Sequence, residues 1–262
     1  MKFVSKKIVA VAAITAVCAF QGVQAQNNFP EPMKMEPAMT EFWTPQPRIV
    51  TPGEPFKDGI ISAPSDAIIL FDGKDLLQWK SSKDGSIAPW KVEKGYFEVV
   101  PQSGGIETKA NFEDFQLHIE WTSPLETEGK EGQGRGNSGI FMQGIYELQV
   151  LDSYGSKTYA NGQAGSIYKQ TPPLVNAMRK PGEWNVYDVI FTAPRFKADG
   201  SLFSPARITV FHNGVLIQNN TTLLGDTPYI GLPKYKAHGR GPISLQDHGD
   251  KVKFRNIWIR EL

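Results

Sequence analysis

The sequence predicts an all-β protein, a jelly-roll sandwich of two antiparallel sheets, and three features carry that prediction. Apolar residues recur with period two in short segments, turn residues interrupt those segments at close intervals, and no stretch holds the periodicity of a long helix. Phe115, Leu117, Ile119 and Trp121 alternate with Gln116, His118 and Glu120, as a half-buried strand requires, and Tyr146, Leu148 and Val150 alternate likewise with Glu147 and Gln149. Further strands are expected over residues 91–100, 105–108, 138–143, 185–192, 206–211, 215–219, 242–247 and 253–261. Between ARITVF and VLIQ stands Asn213-Gly214, the dipeptide that most readily supplies the two positive-φ positions of a tight hairpin. Long irregular connections over 125–136 and 152–182 favour two packed sheets over a small closed barrel.

The 262 residues divide into three parts. In residues 1–25, Lys2, Lys6 and Lys7 precede an apolar run from Ile8 to Phe20, and Val23-Gln24-Ala25 closes the segment, the pattern of a secretory signal peptide. The run falls short of the roughly 20 residues that a bilayer core demands. No stable membrane span is therefore expected, and the mature chain is read as exported, periplasmic or secreted. Cys18, the only cysteine, lacks the small residue that usually precedes a lipidated cysteine, and cleavage after Ala25 removes it. The remaining chain has neither disulfides nor thiol chemistry and depends on its core.

Residues 26–64 contain eight prolines and are expected to form an extended arm. Phe42, Trp43, Ile49, Val50 and Phe56 make it too apolar for a free linker, so part of it is expected to lie against the globular domain at 65–262. The 28 Lys and Arg against 27 Asp and Glu leave no basic field to hold nucleic acid, which is not expected as a partner.

Gly134, Gly136 and Gly139 fit the spacing G-x-G-x-x-G, but they follow a polar loop instead of a strand and open into a strand instead of a helix. That context argues against nucleotide binding, and the glycines are read as letting the loop turn beside Asn137. Glu147 and Gln149 share one strand face with Asp152 at its end. Gln116, His118 and Glu120 form a second polar stripe, and Ser244, Gln246 and His248 a third. If these strands share a sheet, its outer face is a polar surface that binds a sugar through amides and carboxylates, helped by aromatic ring faces.

Trp79, Trp90, Tyr168 and Trp184 are the candidates to stack on a sugar ring. A tryptophan in a β protein more often sits in the core, which leaves Tyr168 as the aromatic expected at the site. His248, in QDHGD, is suited to acid, base or ligand chemistry. His212 beside the hairpin turn is expected to be solvated, and His118 and His238 carry no assignment. H-E-x-x-H, Cys/His clusters, EF-hand spacing and G-x-S-x-G are all absent, so no cofactor and no serine nucleophile is read from local motifs. A divalent metal held by Glu147, Asp152 and His248 in space stays open.

The segments LFDGKDLLQW, DFQLHIEW, GNSGIFMQGIYELQVLD, IYKQTPPLVNA, GEWNVYDVIFTAPRF, HNGV and GPISLQDHGDKVKFRNIWIREL run in that order from about Ile69 to Leu262. They resemble the 3-keto-disaccharide hydrolase family. The resemblance implies a concanavalin A-like jelly roll acting on a glycoside already oxidised at sugar carbon 3, a small-molecule or oligosaccharide substrate. The ketone acidifies the proton on carbon 2; a base removes it, the enolate expels the group on carbon 1, and water addition completes a net hydrolysis. Such a site needs a base in hydrogen-bond reach of the proton and donors aimed at the enolate oxygen.

Carried onto this chain, the resemblance implies a site made of Glu147, Gln149 and Asp152 in ELQVLD, Arg135 and Asn137 before it, and Gln246 and His248 in LQDHG. His248 or Glu147 is then the base, and Arg135 stabilises the enolate oxygen. Asn137, Gln149 and Gln246 match hydroxyls, and Asp152 orients a histidine or a metal. A separate oxidoreductase must make the 3-keto substrate, since nothing in the chain binds a nicotinamide.

Two other readings stand beside this one. A retaining glycosidase of the laminarinase type carries Glu-x-Asp-x-x-Glu, and here that frame reads Glu147-Leu148-Gln149-Val150-Leu151-Asp152, with a glutamine in the middle and a shorter acid at the end. A non-catalytic glycan-binding module would use the same polar face without any base, and fold alone does not separate the two.

Overall fold

A computed structural model describes residues 34–49, 62–126 and 128–262. Residue contacts separate Met1–Lys34 from Met35–Leu262, and the second unit carries the fold. Residues 1–25, read above as a signal peptide that includes Cys18, and Val50 and Phe56 of the arm lie outside the described residues. Among those residues no helix is long and apolar enough to cross a membrane.

The larger unit is a jelly-roll sandwich of two antiparallel sheets. The eight-stranded sheet runs, in spatial order, through Val215–Thr222, Arg207–His212, Asn185–Thr192, Phe115–Thr122, Lys253–Glu261, Tyr96–Glu98 and Lys91–Glu93, with Ile68–Phe71 also paired to Lys253–Glu261. The five-stranded sheet runs through Trp79–Ser81, Ile106–Thr108, Ser244–Leu245, Ser138–Met142 and Tyr146–Val150. Period-two alternation turns Phe115, Leu117, Ile119 and Trp121 inward from one sheet and Ile106, Ile140, Leu148 and Val150 inward from the other, all buried in one core. Each such side chain contributes about 1.5–3 kcal/mol by leaving water. Trp79 and Trp90 belong to this core, as their residue type suggests.

The expected hairpin turns at Asn213 (φ 52°) and Gly214 (φ 79°), which join Arg207–His212 to Val215–Thr222. Residues 91–100, read as one strand, are instead a second hairpin reversing at Lys94 (φ 48°) and Gly95 (φ 81°). Gly95 tolerates this backbone without a Cβ penalty. Of residues 242–247 only Ser244–Leu245 pairs as a strand.

Two sequence expectations require correction. Gln116, His118 and Glu120 lie in the eight-stranded sheet, whereas Glu147, Gln149 and Ser244 lie in the five-stranded one. His118 and Glu120 are wholly buried, their polarity absorbed across strands: His118 Nδ1 lies 2.6 Å from Asp188 Oδ1, and Glu120 accepts from Arg255 Nε at 2.6 Å and Asn256 Nδ2 at 2.8 Å. His212 is buried instead of solvated, with Nε2 3.0 Å from Asn185 Oδ1 and its ring edge-on to Tyr187. Burial pushes its imidazole down to about 3, so it is neutral.

The described part of the arm packs on the domain. Lys169 Nζ donates to Pro37 O at 2.9 Å and Glu41 Oε1 at 2.6 Å, Asn161 Nδ2 donates to Thr40 O at 2.7 Å, and Arg48–Ile49 pairs in parallel with Val175–Asn176. Phe42, Trp43 and Ile49 remain exposed.

Candidate functional site

A hollow of about 510 Å³ opens over the five-stranded sheet, lined by Gln133, Asn137, Phe141, Glu147, Gln149, Tyr159, Tyr168, Thr227, Tyr229, Gln246 and His248. Six residues named from the sequence therefore share one cavity: Glu147, His248, Asn137, Gln149, Tyr168 and Gln246.

Strand register builds its floor. Glu147 stands opposite Phe141, and Gln149 opposite Gly139. On the other side of Gly139, Gln246 N donates to Gly139 O at 3.0 Å, so two glutamines flank a residue without a side chain. Glu147 leans into that gap, since a Cβ built on Gly139 would lie 2.5 Å from Glu147 Oε1. Gly139 is thus a floor position within Ser138–Met142, while Gly136 (φ 60°) makes the turn beside Asn137.

Glu147 is only 5% exposed, and burial pushes its carboxyl up to about 8. Its backbone is held by Thr227 Oγ1, which accepts from Glu147 N at 3.1 Å and donates to Ile145 O at 3.2 Å. An amide web fixes the neighbouring wall. Gln149 Nε2 donates to Gln133 Oε1 at 3.0 Å, and Asn137 Nδ2 donates to Gln133 O at 2.8 Å. The Oε1 atoms of Gln149 and Gln246 are buried with no partner among the described residues. Each such acceptor costs about 1–3 kcal/mol, which a ligand hydroxyl recovers.

Tyr159, Tyr168 and Tyr229 add an aromatic lining. The hydroxyls of Tyr159 and Tyr168 lie 2.7 Å apart, and burial pushes the Tyr168 phenol up to about 12 and that of Tyr159 further, so both stay proton donors. Behind them Lys169 Nζ sits 4.7 Å from the Tyr159 ring and 5.5 Å from the Tyr229 ring, clamped by Glu41 of the arm. His248 stands exposed at the rim.

Arg135 and Asp152 do not line the cavity. Arg135 Nε donates to Asp152 Oδ2 at 2.7 Å and Arg135 Nη2 to Tyr154 O at 3.2 Å, with Asp152 wholly buried. Burial raises the Asp152 carboxyl more than Arg135 lowers it. Arg135 is therefore held by Asp152 and Tyr154 O outside the hollow, and Asp152 orients Arg135 instead of a histidine. Among the described residues no three His, Cys, Asp or Glu converge to hold a metal, so the donor set Glu147, Asp152 and His248 does not fit one. Trp184 does not line the hollow either; the Arg255 guanidinium stacks on it at 4.1 Å.

Sequence reading missed Gln133, Phe141, Tyr159, Thr227 and Tyr229. For Phe141 a signal existed: Ile140, Phe141 and Met142 are consecutive apolar residues on a strand, so one of them must point outward. The others stand outside the strands, where no periodicity marks them.

Residues 66–260 match the profile of the 3-keto-alpha-glucoside-1,2-lyase-like domain. The chain belongs to this family. Every residue lining the hollow falls inside the lyase-like domain, and the packed arm falls outside it. A curated relative, the 3-keto-disaccharide hydrolase of Bacteroides thetaiotaomicron, is 26% identical over 246 residues, covering 77% of this chain and 81% of its own length. A Parabacteroides distasonis ATCC 8503 protein with a provisional glycosyl-hydrolase assignment has a crystal structure that matches with TM-score 0.76 and 59% identity, over 86% of this chain and 95% of that one. A second such protein from the same strain matches with TM-score 0.54 and 24% identity, over 75% and 94% of the two chains, a likeness of fold.

Proposed function

We propose that this protein is an exported enzyme that cleaves 3-keto-glycosides by removing the proton on carbon 2 and expelling the substituent on carbon 1, with water addition completing a net hydrolysis. Glu147 carries the proposal: a buried carboxyl pushed up to about 8, in a hollow otherwise lined by amides, hydroxyls, rings and one imidazole. A base works best when its pKa lies near the working pH, because it then combines proton affinity with an appreciable ionised population.

In this mechanism the Glu147 carboxylate takes the carbon 2 proton, and the C–H electrons form the enolate of the carbon 3 ketone. The Tyr168 hydroxyl donates to the enolate oxygen, a role that Arg135, bound to Asp152, does not fill. As the enolate collapses, the bond from carbon 1 to the departing oxygen breaks with its electron pair, and that oxygen takes a proton from solvent at the rim, positioned by His248. The products are a 1,2-unsaturated 3-keto sugar and the free leaving group. Water then adds its oxygen to carbon 1 while a proton returns to carbon 2.

The family description and the name of the Bacteroides relative support a 3-keto substrate. Against a retaining glycosidase stands the fact that Glu147 is the one carboxylate among the lining residues, where retention needs two. An oxidation of the carbon 3 hydroxyl by another enzyme must supply the substrate. Export rests on the pattern of residues 1–25. The test is the pH dependence of kcat/KM on a 3-keto glucoside. It rises with pH through about 8 and then levels off, and Glu147→Gln abolishes it. A profile that falls through the same range makes Glu147 the acid and overturns the assignment.

A further inference from the structure

Tyr146–Val150 is the last strand of the five-stranded sheet, so the backbone of Glu147 has a side that no strand of that sheet covers. Two separate segments fill it. Glu147 O accepts from Tyr168 N at 3.2 Å, and Glu147 N donates to Thr227 Oγ1 at 3.1 Å. The first segment is a tight turn in the IYKQTPPLVNA stretch, closed by reciprocal backbone bonds between Ile167 and Thr171. Its three tip residues serve three different places. Tyr168 lines the hollow, Lys169 (φ 61°) reaches the arm, and Gln170 is buried.

The second segment is an Ω-shaped loop from Gly225 to Lys234. Its neck is closed where Asp226 N donates to Lys234 O at 3.0 Å and Lys234 N donates to Asp226 Oδ1 at 2.8 Å. Gly225 (φ 137°) lets the two ends meet, since a Cβ there would collide with the Lys234 backbone. Thr227 and Tyr229 extend from this loop into the hollow. Gln170 binds the neck through both ends of its amide: Nε2 donates to Gly225 O at 3.0 Å and Asp226 O at 2.8 Å, and Oε1 accepts from Leu224 N at 2.8 Å. One buried side chain thus joins the two segments that hold Glu147.

We propose that Gln170 is a positioning residue for Glu147, fastening the Gly225–Lys234 loop beside the hollow so that the base stays in place and shielded from water. The inference rests on the function proposed above only in taking Glu147 as the base. The ionisable groups that share the hollow with Glu147 are the Tyr159, Tyr168 and Tyr229 phenols and His248. Lys169 lies behind the Tyr159 and Tyr229 rings, paired with Glu41, and Asp226 is turned to the loop neck. Burial raises the Glu147 carboxyl, and Thr227 and Tyr229 belong to the cover that keeps it dry. Loosening the neck admits water beside the carboxyl and lowers its proton affinity. Loss of three hydrogen bonds elsewhere in the fold would cost stability without moving that ionisation.

The experiment titrates the Glu147 carboxyl by carbon-13 NMR in the full chain labelled at glutamate, with Glu147→Gln assigning the signal. Wild type is expected to titrate at about 8. In Gln170→Leu the midpoint is expected to fall by about one pH unit or more, and the amides of residues 225–234 are expected to exchange faster. Should that variant not fold, Thr227→Val takes its place, because it cuts the bond to Glu147 N and leaves the neck intact, and its midpoint is expected to fall likewise. On a 3-keto glucoside, kcat/KM is expected to drop about tenfold or more, with its pH inflection following the NMR midpoint. A midpoint that stays near 8 in the folded variant overturns the proposal, even where the loop loosens or the melt drops. A fallen midpoint in Gln170→Leu without faster exchange in 225–234 also overturns it. If midpoint and exchange both move as expected and no 3-keto glycoside is cleaved, the positioning role stands and the chemistry assigned to Glu147 falls.

Discussion

The carboxyl of Glu147 occupies the space that a side chain on Gly139 would need: a Cβ there would come within 2.5 Å of Glu147 Oε1 and 2.9 Å of the Phe141 ring. Both atoms belong to the cavity floor, so the missing side chain sets where the base stands. Gly139→Ala is expected to displace the carboxyl, lower kcat/KM at least tenfold and cost about 1–3 kcal/mol of stability by overpacking. Steady-state kinetics with a thermal melt checks this, and unchanged kinetics would show that the gap is not what positions Glu147.

Glu147 lowers stability in the pH range where it is useful. Its pKa is 4.5 when free and about 8 in the fold, so between these values the unfolded chain is ionised while the folded one keeps its proton. Folding stability from this group is fully present below 4.5, falls as pH rises to about 8 and is level beyond, a loss on the order of 4–5 kcal/mol. Glu147→Gln is therefore expected to melt higher than wild type at pH 8 and nearly level with it at pH 4. A gain independent of pH would mean that the carboxyl is not strained by burial.

How far the site was legible follows from which forces place each residue. YELQV announces its two faces because strand alternation is strictly local, and Asn213-Gly214 announces its hairpin because the turn needs positive φ at adjacent residues. Arg135 and Asp152 were misread because they sit on either side of a fold-back: Asp152 N donates to Arg135 O, and this pairing joins segments 17 residues apart. Tyr159 and Tyr229 reach the hollow from loops held by Lys169, a tertiary arrangement with no sequence period. His118 and Glu120 had the right pattern on the wrong sheet, and alternation alone never says which sheet a strand joins.

The Arg135–Asp152 pair is structural. Arg135→Met leaves a wholly buried carboxyl without its cation and is expected to cost about 3 kcal/mol. Activity per folded molecule stays within a few-fold. A loss of more than a hundredfold in kcat, with the melt unchanged, would return Arg135 to the chemistry.

Lys169 ties the arm to the aromatic wall with its side chain only 2% exposed. Lys169→Met keeps the volume but drops the bonds to Pro37 O and Glu41. Residues 37–41 are expected to gain amide exchange, and KM is expected to rise several-fold with kcat less affected. Unchanged exchange in that segment would show that the arm is held by other contacts.

The most direct measurement of the central claim is turnover of a 3-keto glucoside in deuterated water, read by NMR and mass. The hydrated 3-keto product is expected to carry deuterium at carbon 2, well above an enzyme-free control, and Glu147→Gln is expected to abolish that label. Deuterium at carbon 2 undiminished in Glu147→Gln, or equal cleavage of the unoxidised glucoside, would contradict proton abstraction by this site.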